Sequence, residues 1–214
     1  MPGLPDYLDA LRAHYGRPSP VDADSPFGRL VRAILAQGAT PKKLEEALRS
    51  LRVYALLDPH KLRELDHDTV ALAVQAAGMR HRKAARLKNF VAWFLDRFEG
   101  DLDRLREIPA PRLREQLLEL EGMTPETADT ILLEGLGMPV PVVDLPTYRV
   151  MTRHELALED ATYDDLQELV AKGLPKDAET LREFHSLIGV VGREYCRPKA
   201  RCEKCPLKPL LPGK

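Results

Sequence analysis

The sequence predicts an all-α protein. Apolar residues recur at helical spacing almost throughout, Gly and Pro mark the joins, and the one strand-like run, 140–143, is interrupted by Pro141 and too short to build a sheet. Ser25-Pro26 opens a helix with Phe27, Leu30, Val31, Ile34 and Leu35 on one face, Ser as cap and Pro in the first turn. Thr40-Pro41 repeats that opening ahead of Leu44, Ala47, Leu48 and Leu51. Further helices are expected over 69–77, 82–98, 110–120, 125–135, 146–154, 163–172 and 177–191. The joins fall at Asp58-Pro59, Gly78, Gly100, Gly122 and Gly137 to Pro141. The last of these is the best candidate lobe boundary.

At 214 residues, 44% hydrophobic and 30% charged, the chain has the composition of a soluble globular protein of one large or two small domains. No apolar run approaches the ~20 residues of a membrane span, and the first residues lack the basic start and apolar run of a secretory signal. A reducing cytoplasm is therefore expected, where clustered cysteines bind metal more often than they pair. The net charge of −1 argues mildly against a nucleic-acid partner, but it conceals local basic runs. Arg80, His81, Arg82, Lys83, Arg86 and Lys88 form one, Lys42-Lys43 a second, and the residues around the cysteines a third. Any one of these could be merely a solvated face.

All 3 cysteines, Cys196, Cys202 and Cys205, fall in one short tail, as ligands of a single inorganic centre would. Upstream, Leu117, Leu118 and Leu120 close a helix, Glu121 to Thr124 make a tight turn, and Pro125 starts a second helix with Thr124 as its cap. Such a hairpin is either an ordinary helical corner or an anion site suited to a phosphate, since a helix start presents free N–H groups. Asp144, ahead of Leu145-Pro146-Thr147, is expected to cap its helix. The same carboxylate, kept ionised by backbone N–H groups, could stabilise an oxocarbenium ion and orient a water.

The strings LEGMTPETADTILL, VVDLPTYRV and EFHSLIGVVGREYCRPKARCEKCPL resemble, in order, the motifs of endonuclease III-type helix-hairpin-helix DNA glycosylases. SPFGRLVRAILAQGAT and AAGMRHRKAARLKNF resemble that family's earlier segments, so the likeness runs from about Ser25 to Cys205. It implies two helical lobes with a DNA cleft between them. Residues 25–137 would form a barrel carrying the hairpin, and 1–24 with 138–214 an iron–sulfur lobe. It implies base flipping, because the glycosidic carbon is inaccessible inside the stack. Asp144 matches the catalytic aspartate. Gln37 matches the residue that fills the gap left by the flipped base, and Met79 the apolar wedge. Arg80, Arg82 and Lys83 beside the wedge, with Gly122 and Thr124 of the hairpin, are the expected DNA contacts. The implied partner is double-stranded DNA with damaged bases or abasic sites, met by a monomer in the nucleoid.

Departures from the family pattern shape the expected chemistry. Glu126 occupies the position of the lysine that forms a Schiff base in bifunctional members, and a carboxylate cannot form an imine. Base removal is then expected to be hydrolytic, with weak or absent lyase activity. PETAD resembles the 3-methyladenine glycosylase-like branch, whose alkylated substrates are cationic; oxidised pyrimidines are the second candidates. Glu126 either serves a cationic base or simply favours the helix start. Thr124 replaces a glycine, Glu121 a proline and Pro146 a histidine of the motif, and weakened DNA binding is expected. The tail reads Cys-x5-Cys-x2-Cys with Leu211 at the fourth position. A [4Fe–4S] cluster held by three cysteines, a zinc site completed by His185, and an empty loop are the alternatives. A non-catalytic binder of damaged DNA and a redox-sensing cluster protein are the rival functions.

Overall fold

The structure, a computed structural model, describes residues 2–18 and 25–213; residue 1, residues 19–24 and residue 214 of the expected iron–sulfur lobe lie outside the described residues. Helices and connecting segments make up all of the described chain, with no strand among them; residues 140–143 form no regular element. The described residues divide into two compact units, 25–138 and 2–18 with 139–213.

The first unit contains α2 (Pro26–Ala36), α3 (Pro41–Val53), α4 (Pro59–Glu64), α5 (His67–Ala73), α6 (Arg80–Phe98), α7 (Leu102–Arg106), α8 (Ala110–Leu118) and α9 (Pro125–Thr130). Ser25 and Thr40 cap α2 and α3 as their Ser-Pro and Thr-Pro openings predict, each accepting from the N–H three residues on. The core is Leu30, Ile34, Leu48, Leu51, Leu87, Phe90, Phe94, Leu113 and Ile131, all fully buried, with Phe27 and Phe90 stacked on Phe94. The helix expected over 125–135 does not stay α-helical. After Thr130 it widens into a π-turn over Ile131–Gly135, closed by Leu136 N–H to Ile131 O at 3.0 Å. Gly135 has Leu30 against it: a Cβ there would lie 2.5 Å from Leu30 Cδ2, so the absent side chain lets the wider turn settle on α2. The helix expected over 69–77 likewise breaks at Val74 into a 3₁₀ turn, Gln75–Ala77.

The second unit contains α1 (Leu4–Tyr15), α10 (Leu145–Arg153), α11 (Tyr163–Gly173) and α12 (Ala178–Glu194), then short 3₁₀ turns through the cysteine tail. Helix α1 packs on α12, its Tyr7 and Leu11 buried, and is joined to it by a two-pronged ion pair. Arg12 Nε donates to Glu183 Oε1 at 2.9 Å and Nη2 to Oε2 at 2.7 Å. The hydrogen bonds from Arg12 hold the Glu183 pKa below the usual carboxylate range despite burial. Helix α10 lies against α12 where α12 has a glycine. A Cβ on Gly192 would stand 2.9 Å from Pro146 Cγ and 3.0 Å from Pro146 Cα. Pro146 follows Asp144 by two residues, so this close approach sets where the Asp144 cap sits. Neither the ring nor the backbone can yield cheaply. Gly192→Ala is therefore expected to lower stability by about 1–3 kcal/mol, seen as a shifted denaturant midpoint. An unchanged midpoint would show that α10 can slide.

Candidate functional site

Gln37, Gly122 and Glu126, candidate site residues of the first unit, gather around a cation that the motifs did not single out. Arg86, on the inner face of α6, is buried to 8% exposure. Its Nε donates to Gly122 O at 2.7 Å, and its Nη1 donates to Gln37 Oε1 and Thr127 Oγ1, both at 2.9 Å. One guanidinium thus joins the residue capping the end of α2, the hairpin turn and α9. Its planar fork can reach all three at once, as an ammonium cannot. Burial lowers the Arg86 pKa and Glu126 opposes that shift; the group stays charged.

Gln37 is committed on both sides. While its Oε1 accepts from Arg86, its Nε2 donates to Thr124 Oγ1 at 3.2 Å and to Glu126 Oε2 at 3.1 Å. The expected gap-filling side chain is, in this structure, a strut between α2 and the hairpin. Glu126 stands half-buried at the head of α9, and its charge opposes the burial-driven fall in pKa of both buried cations of α6, Arg86 and Lys83. Balancing those cations is a role beyond the two readings the sequence leaves open.

The expectation that Lys83 contacts DNA does not hold. Its side chain is 1% exposed, and Nζ donates to Leu35 O and Ala77 O, both at 2.7 Å. These carbonyls end α2 and the 3₁₀ turn, where backbone acceptors lack helical partners. Burial, then repulsion from Arg86, brings the Lys83 pKa down to about 8, with Glu126 opposing. The ammonium form still prevails at neutral pH and supplies the protons both bonds need.

The hairpin is less strained than its altered motif suggests. The positive φ, +81°, falls on Gly122, which keeps its glycine. Thr124 sits extended at φ −117° and caps α9, its Oγ1 accepting from Thr127 N–H at 3.3 Å. Thr124 in place of the motif's glycine therefore demands no left-handed backbone. Asp129, fully buried in α9, is gripped by Arg114 of α8 at 2.7 and 3.2 Å, which clamps the two hairpin helices. Only a buried acid in an apolar run could have flagged that pair.

Met79 is half-exposed and projects from a left-handed backbone, φ +45°, directly after Gly78 at φ +76°. Its Cε lies over Gly38, 3.2 Å from where a Cβ would be. Arg80 and Arg82 are exposed beside it. Arg82, Lys88 and Asn89 line a groove of about 560 Å³ that ends at Glu121 and Gly122 of the hairpin. Arg86 forms part of its wall, and Asn89 Nδ2 donates to Glu121 O at 3.1 Å.

In the second unit Asp144 caps α10, accepting at Oδ1 from Thr147 N–H at 2.9 Å and Thr147 Oγ1 at 2.7 Å. Its other oxygen, Oδ2, lies 3.7 Å from His185 Nε2, and both side chains are about one-fifth exposed. One carboxylate oxygen is thus anchored while the other faces an imidazole. That neighbour bears on the metal alternatives, because His185 is turned toward Asp144.

Cys196 is buried, Cys205 half-buried and Cys202 exposed. Arg153 donates from Nη1 to Cys196 Sγ at 3.3 Å and to Arg197 O at 2.6 Å, which ties the tail to α10. Burial pushes the Cys205 thiol up, and the nearness of Cys202 and Cys196 adds to it. The cysteines and His185 do not bring three ligand atoms within 4.8 Å of one another, as a mononuclear zinc site would. A cubane gives each thiolate its own iron, so the set fits a cluster better than zinc.

Arg86 is the keystone these contacts identify. Arg86→Ala is expected to cost about 2–4 kcal/mol, because Gly122 O, Gln37 and Thr127 lose a shared buried donor. Arg86→Lys should recover little of it. Hydrogen exchange over 120–128 should rise in both variants; unchanged protection there would disprove the role.

Residues 31–176 match the family described as HhH-GPD superfamily base excision DNA repair protein. A protein of Methanocaldococcus jannaschii, provisionally named a DNA repair glycosylase, is 34% identical over 200 residues, 92% of this chain and 90% of its own. An endonuclease III of Sulfolobus acidocaldarius is 29% identical, spanning 85% of this chain and 79% of its own. The crystal structure of H. pylori 3-methyladenine DNA glycosylase bound to 1,N6-ethenoadenine superposes with a TM-score of 0.76 at 23% identity, covering 88% of this chain and 96% of that one. A non-covalent endonuclease III–DNA complex gives 0.79 at 21% identity, covering 98% and 94%. At these identities the structural likeness speaks to the fold.

Proposed function

We propose, since the chain belongs to the HhH-GPD superfamily of base excision DNA repair proteins, that this DNA glycosylase removes its base by hydrolysis, with alkylated purines as substrates. The observation that carries the reading is Glu126. A carboxylate stands where a Schiff-base lysine would, and it is engaged with Gln37 rather than free to be a nucleophile. Without an amine, the carbocation that develops as the base leaves must be met by water. Asp144 supplies the counter-charge: Thr147 fixes one oxygen, and the other, beside His185, would stabilise the sugar and orient that water. Alkylated purines leave readily because they are already cationic, so little further assistance is needed.

DNA is held, in this reading, by phosphate contacts from Arg80, Arg82 and the Gly122–Thr124 hairpin, with Met79 as the wedge. Gln37 would act from its place beside Glu126, and Lys83 drops out because it is buried. Cys196, Cys202 and Cys205 would hold a [4Fe–4S] cluster through three irons, leaving the fourth without a cysteine because Leu211 cannot ligate. Bound there, the cluster supplies structural support to the basic tail.

The decisive experiment is a panel of duplexes carrying single lesions, assayed with and without heat or alkali to separate base loss from strand cleavage. Base release is expected from 3-methyladenine or 1,N6-ethenoadenine, falling about 10²-fold or more in Asp144→Asn. Borohydride should trap no covalent adduct. Trapping at the efficiency of a lysine-containing enzyme would overturn the hydrolytic route, and specific binding without turnover on every lesion would favour the non-catalytic binder.

Affinity for an abasic-analogue duplex should fall steeply with salt. Arg82→Ala should weaken binding alike for all sequences and reduce the log–log salt slope by about 1. An unaltered slope would remove Arg82 from the interface.

A further inference from the structure

Two imidazoles and a carboxylate converge at the rim of the basic groove, apart from every residue used above for catalysis or the cluster. His67 Nε2 and His81 Nδ1 are 3.3 Å apart, with their rings nearly parallel at 16° and centroids 5.5 Å apart. Asp68 Oδ1 is 3.9 Å from His81 Nδ1. Among the described residues this is the group of three metal-binding side chains whose ligand atoms all lie within 4.8 Å of one another. All three are exposed.

The spacing matches a real coordination sphere. Two nitrogens on a tetrahedral zinc, with Zn–N of about 2.0–2.1 Å, stand about 3.3–3.4 Å apart. The Asp68 oxygen, 3.9 Å from His81 Nδ1 and within 4.8 Å of His67 Nε2, completes the third corner by a side-chain rotation that brings it closer to both nitrogens. The backbone beneath is fixed rather than adaptable. Asp66 caps α5, accepting from Thr69 N–H at 2.8 Å and Thr69 Oγ1 at 2.7 Å. Lys88 of α6 holds the chain entering α5 by donating to Leu65 O and, at 3.1 Å, to Arg63 O. Ligands on a rigid frame lose less entropy on binding.

We propose that His67 Nε2, Asp68 Oδ1 and His81 Nδ1 form a site for one divalent transition-metal ion of the zinc class, with its remaining coordination position open to solvent beside the groove. Without metal, Arg80 Nε donates to His81 Nε2 at 3.2 Å, so the His81 proton lies on Nδ1 and is shared with His67. Metal binding takes Nδ1. The proton moves to Nε2, and Arg80, exposed, turns away. No net proton is released from His81. Arg80 and the two helix starts oppose a cation, and the Asp68 carboxylate offsets them.

The test is titration of the full-length protein, with its cysteine tail intact, with zinc alone. Binding is followed by calorimetry and by the imidazole nitrogen resonances. Wild type should take one zinc more than His81→Ala, with the His67 and His81 nitrogens shifting together. His67→Ala and Asp68→Ala should weaken that site by about tenfold or more. Arg80→Ala should tighten it by several-fold. Comparing variants in one cysteine background separates this zinc from any bound by thiols. Equal zinc stoichiometry and affinity in wild type and His81→Ala would overturn the proposal, as would imidazole resonances that ignore zinc.

Discussion

The 25–138 unit depends on a charge that has been taken out of water. The Arg86 guanidinium is enclosed where α2, the hairpin and α9 meet, and it holds one acceptor from each. A buried cation is costly unless its donors are used and its charge is offset. Here Gly122 O, Gln37 and Thr127 use the donors, and Glu126 offsets the charge. Lys83, one turn earlier on the same helix, repeats the device at two helix-end carbonyls. The hairpin is therefore held as much by electrostatics as by apolar packing. Residues that look like independent site elements are coupled: a change at Gln37 or Glu126 alters the environment of Arg86 as well as any contact with DNA.

The second unit relies on a different constraint, the absence of a side chain. Gly192 admits Pro146, and Pro146 fixes the start of α10, so the Asp144 carboxylate is positioned by steric fit. Thr147 then anchors one of its oxygens, and His185 stands near the other. The cysteine tail joins the same helix from its far end through Arg153. Both ends of α10 are thus tied down, the first by packing and the last by hydrogen bonds.

Much of this was legible in the residues. The caps at Ser25, Thr40, Thr124 and Asp144 are local, because a side chain reaching its own helix start needs no tertiary information. The π-turn was not legible: residues 131–133 are apolar on every side, so periodicity carries no phase there, and the wider turn answers to Leu30, about a hundred residues away in sequence. Helices α4 and α7, at 6 and 5 residues, were too short to show a repeat. Helix α1 is legible too, for Leu4, Tyr7, Leu8 and Leu11 follow helical spacing and all are buried. Charge alone would make the basic run around residue 83 one surface. Its phase says otherwise: Lys83, Arg86, Leu87 and Phe90 share the buried stripe, while Arg80 and Arg82 face outward. Charge alone was the wrong guide there, and helical phase the better one.

Met79 illustrates how backbone conformation narrows what a position can become. It stands in the left-handed region, which β-branched side chains can scarcely enter, so Val, Ile and Thr are closed to it. Glycine or asparagine would relieve the backbone but leave nothing apolar to project. A long unbranched side chain is the compromise that remains. Backbone ease and an apolar projection thus pull the choice of residue here in opposite directions. Methionine meets the second at a cost in the first.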